Sequence, residues 1–267
     1  MNWDTRQIFK FKAGDVCLEG RCFGPPPEQA DTLVLLHEGL GCIELWREFP
    51  ERLARASGYG VFVYSRRGYG GSDAVNRPRP LDYMTREALD SLPEVLGGIG
   101  LRRGVLLGHS DGASIAALYA GLIRDSRLTG LVLLAPHFFT EAPGLAAIVE
   151  AGAAFASGDL RSRMARYHQD VDGAFRGWND AWLDPGFRDW NIEHCIPGIQ
   201  VPVLAIQGRQ DQYGSRLQIE ALEQGLATPL KVVMLDDCRH SPFIDQPQAT
   251  LEHIAGFVRG LGQFSRA

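Results

Sequence analysis

The residues with the clearest capacity for chemistry form the segment Gly108-His109-Ser110-Asp111-Gly112. This G-x-S-x-G pattern follows an apolar run at residues 105–107 and precedes an apolar stretch of helical period at 113–123. Between a strand and a helix, the pattern makes a sharp turn that exposes the serine hydroxyl, and the flanking glycines leave room for the neighbouring backbone. The segment therefore predicts that Ser110 is a nucleophile, the alternative being a serine that only caps a helix.

A serine hydroxyl needs a histidine to take its proton and a carboxylate to orient that histidine. Asp211 follows the apolar run at 203–206, and His240 follows the run at 231–235. Because the carboxyl ends of parallel strands meet at one edge of a sheet, we expect Ser110, Asp211 and His240 to lie together there. Asp236 and Asp237 compete for the role of the acid, and His240 has the alternative of being a surface loop residue.

The transition state of acyl transfer also needs hydrogen-bond donors for its oxyanion. The backbone N–H of Asp111, directly after the nucleophile, is one expected donor. The second is expected from the turn His37-Glu38-Gly39-Leu40-Gly41, which follows the apolar run at 32–36.

The rest of the chain alternates short apolar runs with segments of helical period, as in a parallel sheet covered on both faces. The first thirty residues differ, because runs at 7–12 and 16–23 predict an antiparallel hairpin. Residues 139–199 exceed what one crossover helix needs, and we interpret them as a helical insertion. The predicted strands of the parallel part are 32–36, 61–64, 105–107, 131–134, 203–206 and 231–235, and the predicted helices are 48–56, 86–96, 114–123, 217–226 and 248–258.

Composition excludes several classes of function. The 267 residues carry a net charge of -5, which lacks the basic excess of a nucleic-acid binder. The five cysteines have no paired spacing, and we expect reduced thiols in a cytoplasmic protein without a signal peptide or membrane span. The sequence has no phosphate-loop motif, no His-Glu-x-x-His motif and no Gly-x-Gly-x-x-Gly motif between a predicted strand and helix. We therefore expect neither a cofactor nor a metal.

These motifs together resemble the α/β-hydrolase superfamily with a helical cap, and the resemblance covers nearly the whole chain. The turn at 37–41 resembles its oxyanion turn, residues 67–72 resemble its Arg-Gly-x-Gly-x-Ser loop, and Ser110, Asp211 and His240 match its triad. The resemblance implies a mostly parallel eight-stranded sheet with helices on both faces, a core of residues 1–138 and 200–267, a cap of 139–199, and Gly39 as the second oxyanion donor. Gly-x-Ser-Asp-Gly and residues 178–214 look most like valacyclovir-hydrolase-like and enol-lactonase-like carboxylic ester hydrolases.

Six further residues are candidates for binding substrate: Glu38, His137, Phe138, Trp178, Trp182 and Tyr213. Glu38, where the family usually has glycine, either holds the turn by accepting backbone N–H groups or attracts a cationic substrate, and we favour the structural role. We also favour a structural role for Asp111, which suits the first turn of a helix without any ligand. Unpaired carboxylates at these positions would favour amine-bearing substrates, whereas carboxylates held by backbone N–H groups would favour neutral or acidic esters.

Two further interpretations remain open at the level of sequence. The tryptophans line an aromatic pocket or only pack the insertion onto the sheet. The neighbouring Arg66 and Arg67 have the pattern of solvated or loop-bracing charges.

The sequence thus predicts a cofactor-free serine hydrolase, a monomer or homodimer, that cleaves a small carboxylic ester or thioester through an acyl-enzyme on Ser110. One alternative is a lactone or carbon–carbon bond hydrolase of an aromatic degradation pathway with the same triad. Another is a catalytically silent ligand-binding protein on the same fold.

Overall fold

A single eight-stranded sheet organises the computed structural model, which describes Trp3 and residues 7–264. The strands lie in the order β1-β2-β4-β3-β5-β6-β7-β8; β2 pairs antiparallel with both β1 and β4, and all other neighbours are parallel. This arrangement confirms the predicted fold class. The strands are β1 (Phe9–Ala13), β2 (Val16–Phe23), β3 (Thr32–Leu36), β4 (Gly60–Ser65), β5 (Gly104–His109), β6 (Leu128–Leu134), β7 (Val203–Gly208) and β8 (Leu230–Leu235).

Alternate side chains of the central strands enter two separate cores. Val34 and Leu106 pack on one face with residues of the helices that follow β4 and β5, whereas Leu33 and Val105 pack on the other with Leu53. Both faces are therefore covered, which explains why the central strands are apolar throughout. The helices are α1 (Phe49–Ser57), α2 (Tyr83–Arg86), α3 (Leu92–Gly98), α4 (Asp111–Leu122), α5 (Ala142–Ser157), α6 (Leu160–Met164), α7 (Val171–Leu183), α8 (Leu217–Gly225), α9 (Pro242–Asp245) and α10 (Pro247–Phe264).

The helix predicted over 86–96 is not continuous. The chain instead forms α2, a π-helical turn over Glu87–Ser91, and then α3. Pro93 has no N–H to continue the α-helical hydrogen-bond ladder, so the register changes just before it. The apolar spacing that guided the prediction carries no information about this change of register.

The segment between β6 and β7 is helical, as expected for the insertion. It contains α5, α6, α7 and two 3₁₀ helices, Pro185–Phe187 and Glu193–Gly198. Phe155 of α5 stacks on Phe175 of α7 with ring centroids 3.8 Å apart. The boundaries of a separate cap domain at 139–199 remain a prediction.

Within the described part of the chain, none of the helices has the length and apolar character needed to cross a lipid bilayer.

Candidate active site

Ser110 occupies a strained turn between β5 and α4. Its backbone angles are φ 53° and ψ −120°, in a region that L-residues rarely adopt and that is found where surrounding structure enforces it. A Cβ on Gly112 would lie 2.1 Å from the carbonyl oxygen of Leu36, and one on Gly108 would lie 2.2 Å from that of Gly112. Only glycine fits at these two positions, so the pattern seen in the sequence is required by the packing of β3, β5 and α4.

Asp211 and His240 form a close pair at the same edge of the sheet. Nδ1 of His240 lies 2.8 Å and 2.9 Å from the two carboxylate oxygens of Asp211. Burial raises the pKa of Asp211, but the charge and hydrogen bond of His240 and the N–H of Tyr213 outweigh it, so the pKa is held below its ordinary value. An ionised carboxylate accepts the Nδ1 proton, which leaves Nε2 of His240 as the basic nitrogen.

The two competing acids lie elsewhere. Asp236 is exposed and forms an ion pair with Arg209, with Nε and Oδ1 2.7 Å apart. Asp237 is exposed in the following turn, where its φ is 49°. Of the three candidate acids, only Asp211 contacts His240.

A small cavity of about 200 Å³ opens beside these residues, and we call it the central cavity. Ser110 and His240 line it, and so do Gly39 and Asp111, the two predicted oxyanion donors. The remaining lining residues are Glu38, Leu40, His137, Glu141, Gly144, Ile148, Trp178, Trp182, Gln212, Tyr213 and Ser241.

A sequence model of the α/β hydrolase family matches residues 33–253, most of the chain and all three residues of the predicted triad. The chain belongs to the α/β hydrolase family. Its solved neighbours agree with this fold: proline iminopeptidase from Mycobacterium smegmatis has a TM-score of 0.75 over 97% of this chain and 100% of that chain, at 16% sequence identity.

The curated relatives include several kinds of hydrolase. Epoxide hydrolase 3 of Xenopus tropicalis is 36% identical over 39% of this chain and 28% of that protein, and epoxide hydrolase B of Mycobacterium tuberculosis is 30% identical over 58% and 40%. The chain therefore spans less than half the length of those epoxide hydrolases. The pimeloyl-[acyl-carrier protein] methyl ester esterase of Aeromonas hydrophila is 29% identical over 86% of this chain and 96% of that protein.

Five of the six predicted binding candidates line the central cavity, and Phe138 does not. Phe138 is fully buried in the core, where its N–H donates to Gln218 Oε1 and its carbonyl accepts from the N–H of Ile192, both at 2.7 Å. These contacts hold Phe138 in the core, so its predicted role in lining the site is wrong. His137, the preceding residue, is buried at the cavity. Its burial, and to a lesser extent the charge of His240, lower its pKa to about 3.

Six lining residues of the central cavity were not among the residues predicted from the sequence. Gln212 and Ser241 adjoin Asp211 and His240 in the chain, and this adjacency is a signal that could have found them. Glu141, Gly144 and Ile148 come from the start of the insertion, and no local signal pointed to them. Leu40 lies within the predicted oxyanion turn.

Both tryptophans of α7 combine the two roles that the sequence left open. Trp178 and Trp182 are buried against the core and also line the central cavity. Nε1 of Trp182 donates to the hydroxyl of Tyr83 at 3.1 Å, and this hydroxyl donates in turn to Oδ2 of Asp111.

Of the two carboxylates beside Ser110, that of Glu38 accepts a hydrogen bond from its own backbone N–H. Among the described residues, none donates a hydrogen bond to Oδ1 of Asp111, and no backbone N–H of another residue donates to either carboxylate. Burial raises the pKa of Asp111, an effect that the nearby Arg66 partly offsets. Glu38 Oε2 lies 3.8 Å from Nδ1 of His109; burial raises the pKa of Glu38, but this imidazole outweighs it and the pKa is lowered.

If the N–H of Gly39 binds an oxyanion, alanine at position 39 is expected to lower kcat/KM for an ester by about 10²- to 10³-fold, the range typical of losing one oxyanion donor. The new Cβ would lie 2.2 Å from Nε1 of Trp178, so the turn or the indole must move. Ester hydrolysis under steady-state conditions measures the loss.

The matched control is Gly97→Ala in α3, because among the described residues no atom beyond the adjoining residues and the helix's own backbone lies within 4 Å of the Cβ that it would add. We expect G97A to retain wild-type kcat/KM. Equal activity of G39A and G97A would show that the turn at Gly39 takes no part in the reaction.

Proposed function

We propose that this chain is a cofactor-free serine hydrolase of small carboxylic esters or thioesters. Ser110 is the nucleophile, His240 the general base and Asp211 the residue that orients it. The observation that carries the proposal is the bond from His240 Nδ1 to Asp211 at the edge of a cavity that Ser110 also lines.

The proposed reaction proceeds through an acyl-enzyme. Nε2 of His240 takes the hydroxyl proton of Ser110 while the serine oxygen attacks the ester carbonyl, and the N–H groups of Gly39 and Asp111 bind the resulting oxyanion. Collapse breaks the bond to the leaving alcohol or thiol, which receives the proton from His240. A water molecule, deprotonated by His240, then attacks the acyl carbonyl; collapse breaks the bond to Ser110, whose oxygen receives that proton from His240, and the acid is released.

The serine favours esters over the epoxides that several relatives are named for. Attack of a hydroxyl on an epoxide would leave an ether on Ser110, which has no carbonyl for water to attack. Attack on an ester leaves an acyl group that water can remove with the same base and the same oxyanion donors. We therefore take the ester as the substrate class of this chain.

The charge of the central cavity favours neutral or cationic acyl groups. The carboxylates of Glu38, Asp111 and Glu141 line it, whereas its described lining includes no lysine or arginine. His137 adds no positive charge at neutral pH, because its pKa is about 3. An anionic substrate group would therefore face carboxylates that no lysine or arginine of the described lining balances, in a partly buried site.

We expect kcat/KM to fall in the order cationic, neutral, anionic across three p-nitrophenyl esters of matched size. The acyl groups are 4-(trimethylammonio)butanoate, 5,5-dimethylhexanoate and glutarate. At least a tenfold difference between the first and the last is expected, which corresponds to about 1.4 kcal/mol of electrostatic discrimination.

Glu38→Gln should reduce that ratio, whereas Glu252→Gln, at an exposed position on α10, should leave it unchanged. Fastest hydrolysis of the glutarate ester would contradict the proposed charge preference without affecting the proposed nucleophile.

Covalent labelling tests the nucleophile directly. A fluorophosphonate should add to Ser110, which peptide mass spectrometry locates, and S110A should remain unlabelled. Ser241 also lines the cavity, so S241A must still take the label. Failure of the wild type to react would favour the ligand-binding alternative, and rapid lactone or vinylogous diketone turnover with weak ester hydrolysis would favour the other enzymatic alternative.

A further inference from the structure

A fully buried arginine lies directly beneath the turn that carries Gly39. Arg66 has no exposed surface, whereas the next residue, Arg67, is exposed and donates to the carbonyl of Ala74. Of the two interpretations of Arg66, a solvated charge or a loop-bracing charge, its burial excludes the first. Burial of a guanidinium is costly unless its hydrogen bonds compensate, so its partners indicate what it does.

Arg66 holds the backbone of the oxyanion turn. Its Nη2 donates to the carbonyl oxygen of Glu38 at 2.9 Å and to that of His37 at 3.3 Å. Its guanidinium also lies over the ring of Tyr69, 4.9 Å from the centroid.

The imidazole of His37 donates to the same carbonyl. The backbone N–H of Arg66 donates to Nε2 of His37 at 3.0 Å, so that nitrogen carries no proton. Its burial, and to a lesser extent the charge of Arg66, hold the pKa of His37 well below its ordinary value. The ring is therefore neutral, and its single proton is on Nδ1. Nδ1 lies 2.7 Å from the carbonyl oxygen of Glu38 and therefore donates to it.

Three donors thus converge on one oxygen, because the N–H of Gly41 also lies 3.1 Å from Glu38 O. This carbonyl belongs to the peptide unit whose N–H is that of Gly39. In a trans peptide the C=O and N–H point in opposite directions, so fixing the oxygen also fixes where the Gly39 N–H points. Donors on the oxygen also polarise the unit and strengthen the N–H as a donor.

We propose that Arg66, together with His37, is a positioning residue that fixes and polarises the Gly39 N–H for the oxyanion. The inference rests on the proposed function, since it requires acyl transfer at Ser110. A residue that only braced the fold would affect stability, and its loss would weaken ground-state and transition-state binding equally. A positioning residue affects chiefly the state in which negative charge has developed.

The test compares Arg66→Met and Arg66→Lys with Arg67→Met, the matched change at the exposed neighbour. A trifluoromethyl ketone analogue of the preferred substrate adds to Ser110 and forms an oxyanion, whereas the corresponding amide binds as a ground-state inhibitor. For R66M we expect kcat/KM to fall about 10- to 100-fold and ketone affinity to fall by a similar factor. Amide affinity should stay within about threefold, and R67M should match the wild type in all three measurements.

The lysine variant keeps a cation but offers one ammonium, so we expect an intermediate loss of both kcat/KM and ketone affinity. Wild-type ketone affinity in R66K or R66M would overturn the proposal. If neither variant folds, ¹⁵N-arginine NMR of the wild type decides: the Arg66 Nη resonances should shift when the ketone adduct forms, and unchanged resonances would overturn the inference. A wild type that takes neither ketone nor fluorophosphonate would instead refute the proposed function.

Discussion

Replacement of Ser110 by alanine is expected to lower kcat for ester hydrolysis by about 10⁶-fold, as removal of a serine nucleophile does in other triads. Without the hydroxyl no acyl-enzyme forms, and His240 has no proton to take from position 110. Residual hydrolysis above the uncatalysed rate should remain, because the oxyanion donors and the cavity are intact. Steady-state rates with p-nitrophenyl esters measure the effect.

S110A is expected to lose activity without losing stability, so the loss can be assigned to the missing hydroxyl. Ser110 is almost fully buried. Among the described residues, its hydroxyl has no hydrogen-bond partner, and the bond from Ser114 goes to its backbone carbonyl, so alanine would leave no group unpaired. We therefore expect S110A to keep the urea unfolding midpoint of the wild type to within a small shift. Full esterase activity in a folded, contaminant-free S110A would refute the proposed mechanism.

Replacement of Asp211 by asparagine is expected to lower kcat by about 10⁴-fold. The amide group can donate to Nδ1 of His240, which would place the imidazole proton on Nε2 and leave no lone pair there to accept the proton of Ser110. Asparagine retains an oxygen for the N–H of Tyr213, which donates to Asp211 at 2.9 Å, so the loop should keep its shape. The measurement is kcat at saturating ester.

Asp236→Asn is the matched control, because Asp236 is one of the two competing acids and lies in an exposed ion pair. We expect D236N to retain activity within about twofold, since exposed pairs contribute little. The double variant S110A/D211N should be no slower than S110A alone, because triad members act as a unit. A D236N loss as large as that of D211N would show that the acid was wrongly assigned.

The positions of the strands in the sequence, and the sheet edge at which they end, explain how much of the site could be predicted. The G-x-S-x-G segment is local, and its two glycines are required because a Cβ on either would lie about 2 Å from a backbone oxygen of β3 or α4. Asp211 and His240 were predicted from position alone, because parallel strands place their carboxyl ends at one edge. β7 and β8 end at the paired residues Gly208 and Leu235, just before these two side chains.

Side-chain environments were harder to predict than positions. His137 and Phe138 follow β6 as neighbours, yet only His137 reaches the cavity. The difference depends on Gln218 and Ile192, which are distant in sequence and fix the backbone of Phe138. No periodic pattern in the sequence records contacts of this kind.

The sequence by itself determined the sheet, the turn at Ser110 and the identity of the candidate triad, because hydrophobic periodicity and glycine requirements are local and repeat along the chain. Only the tertiary structure decided that Arg66 is buried beneath Glu38 and that Asp111 accepts from Tyr83 while one of its oxygens has no donor among the described residues. The sequence does not show whether a charged side chain is buried. Whether each one is solvated or enclosed depends on which distant elements pack over it, and here that packing sets the electrostatics of the site.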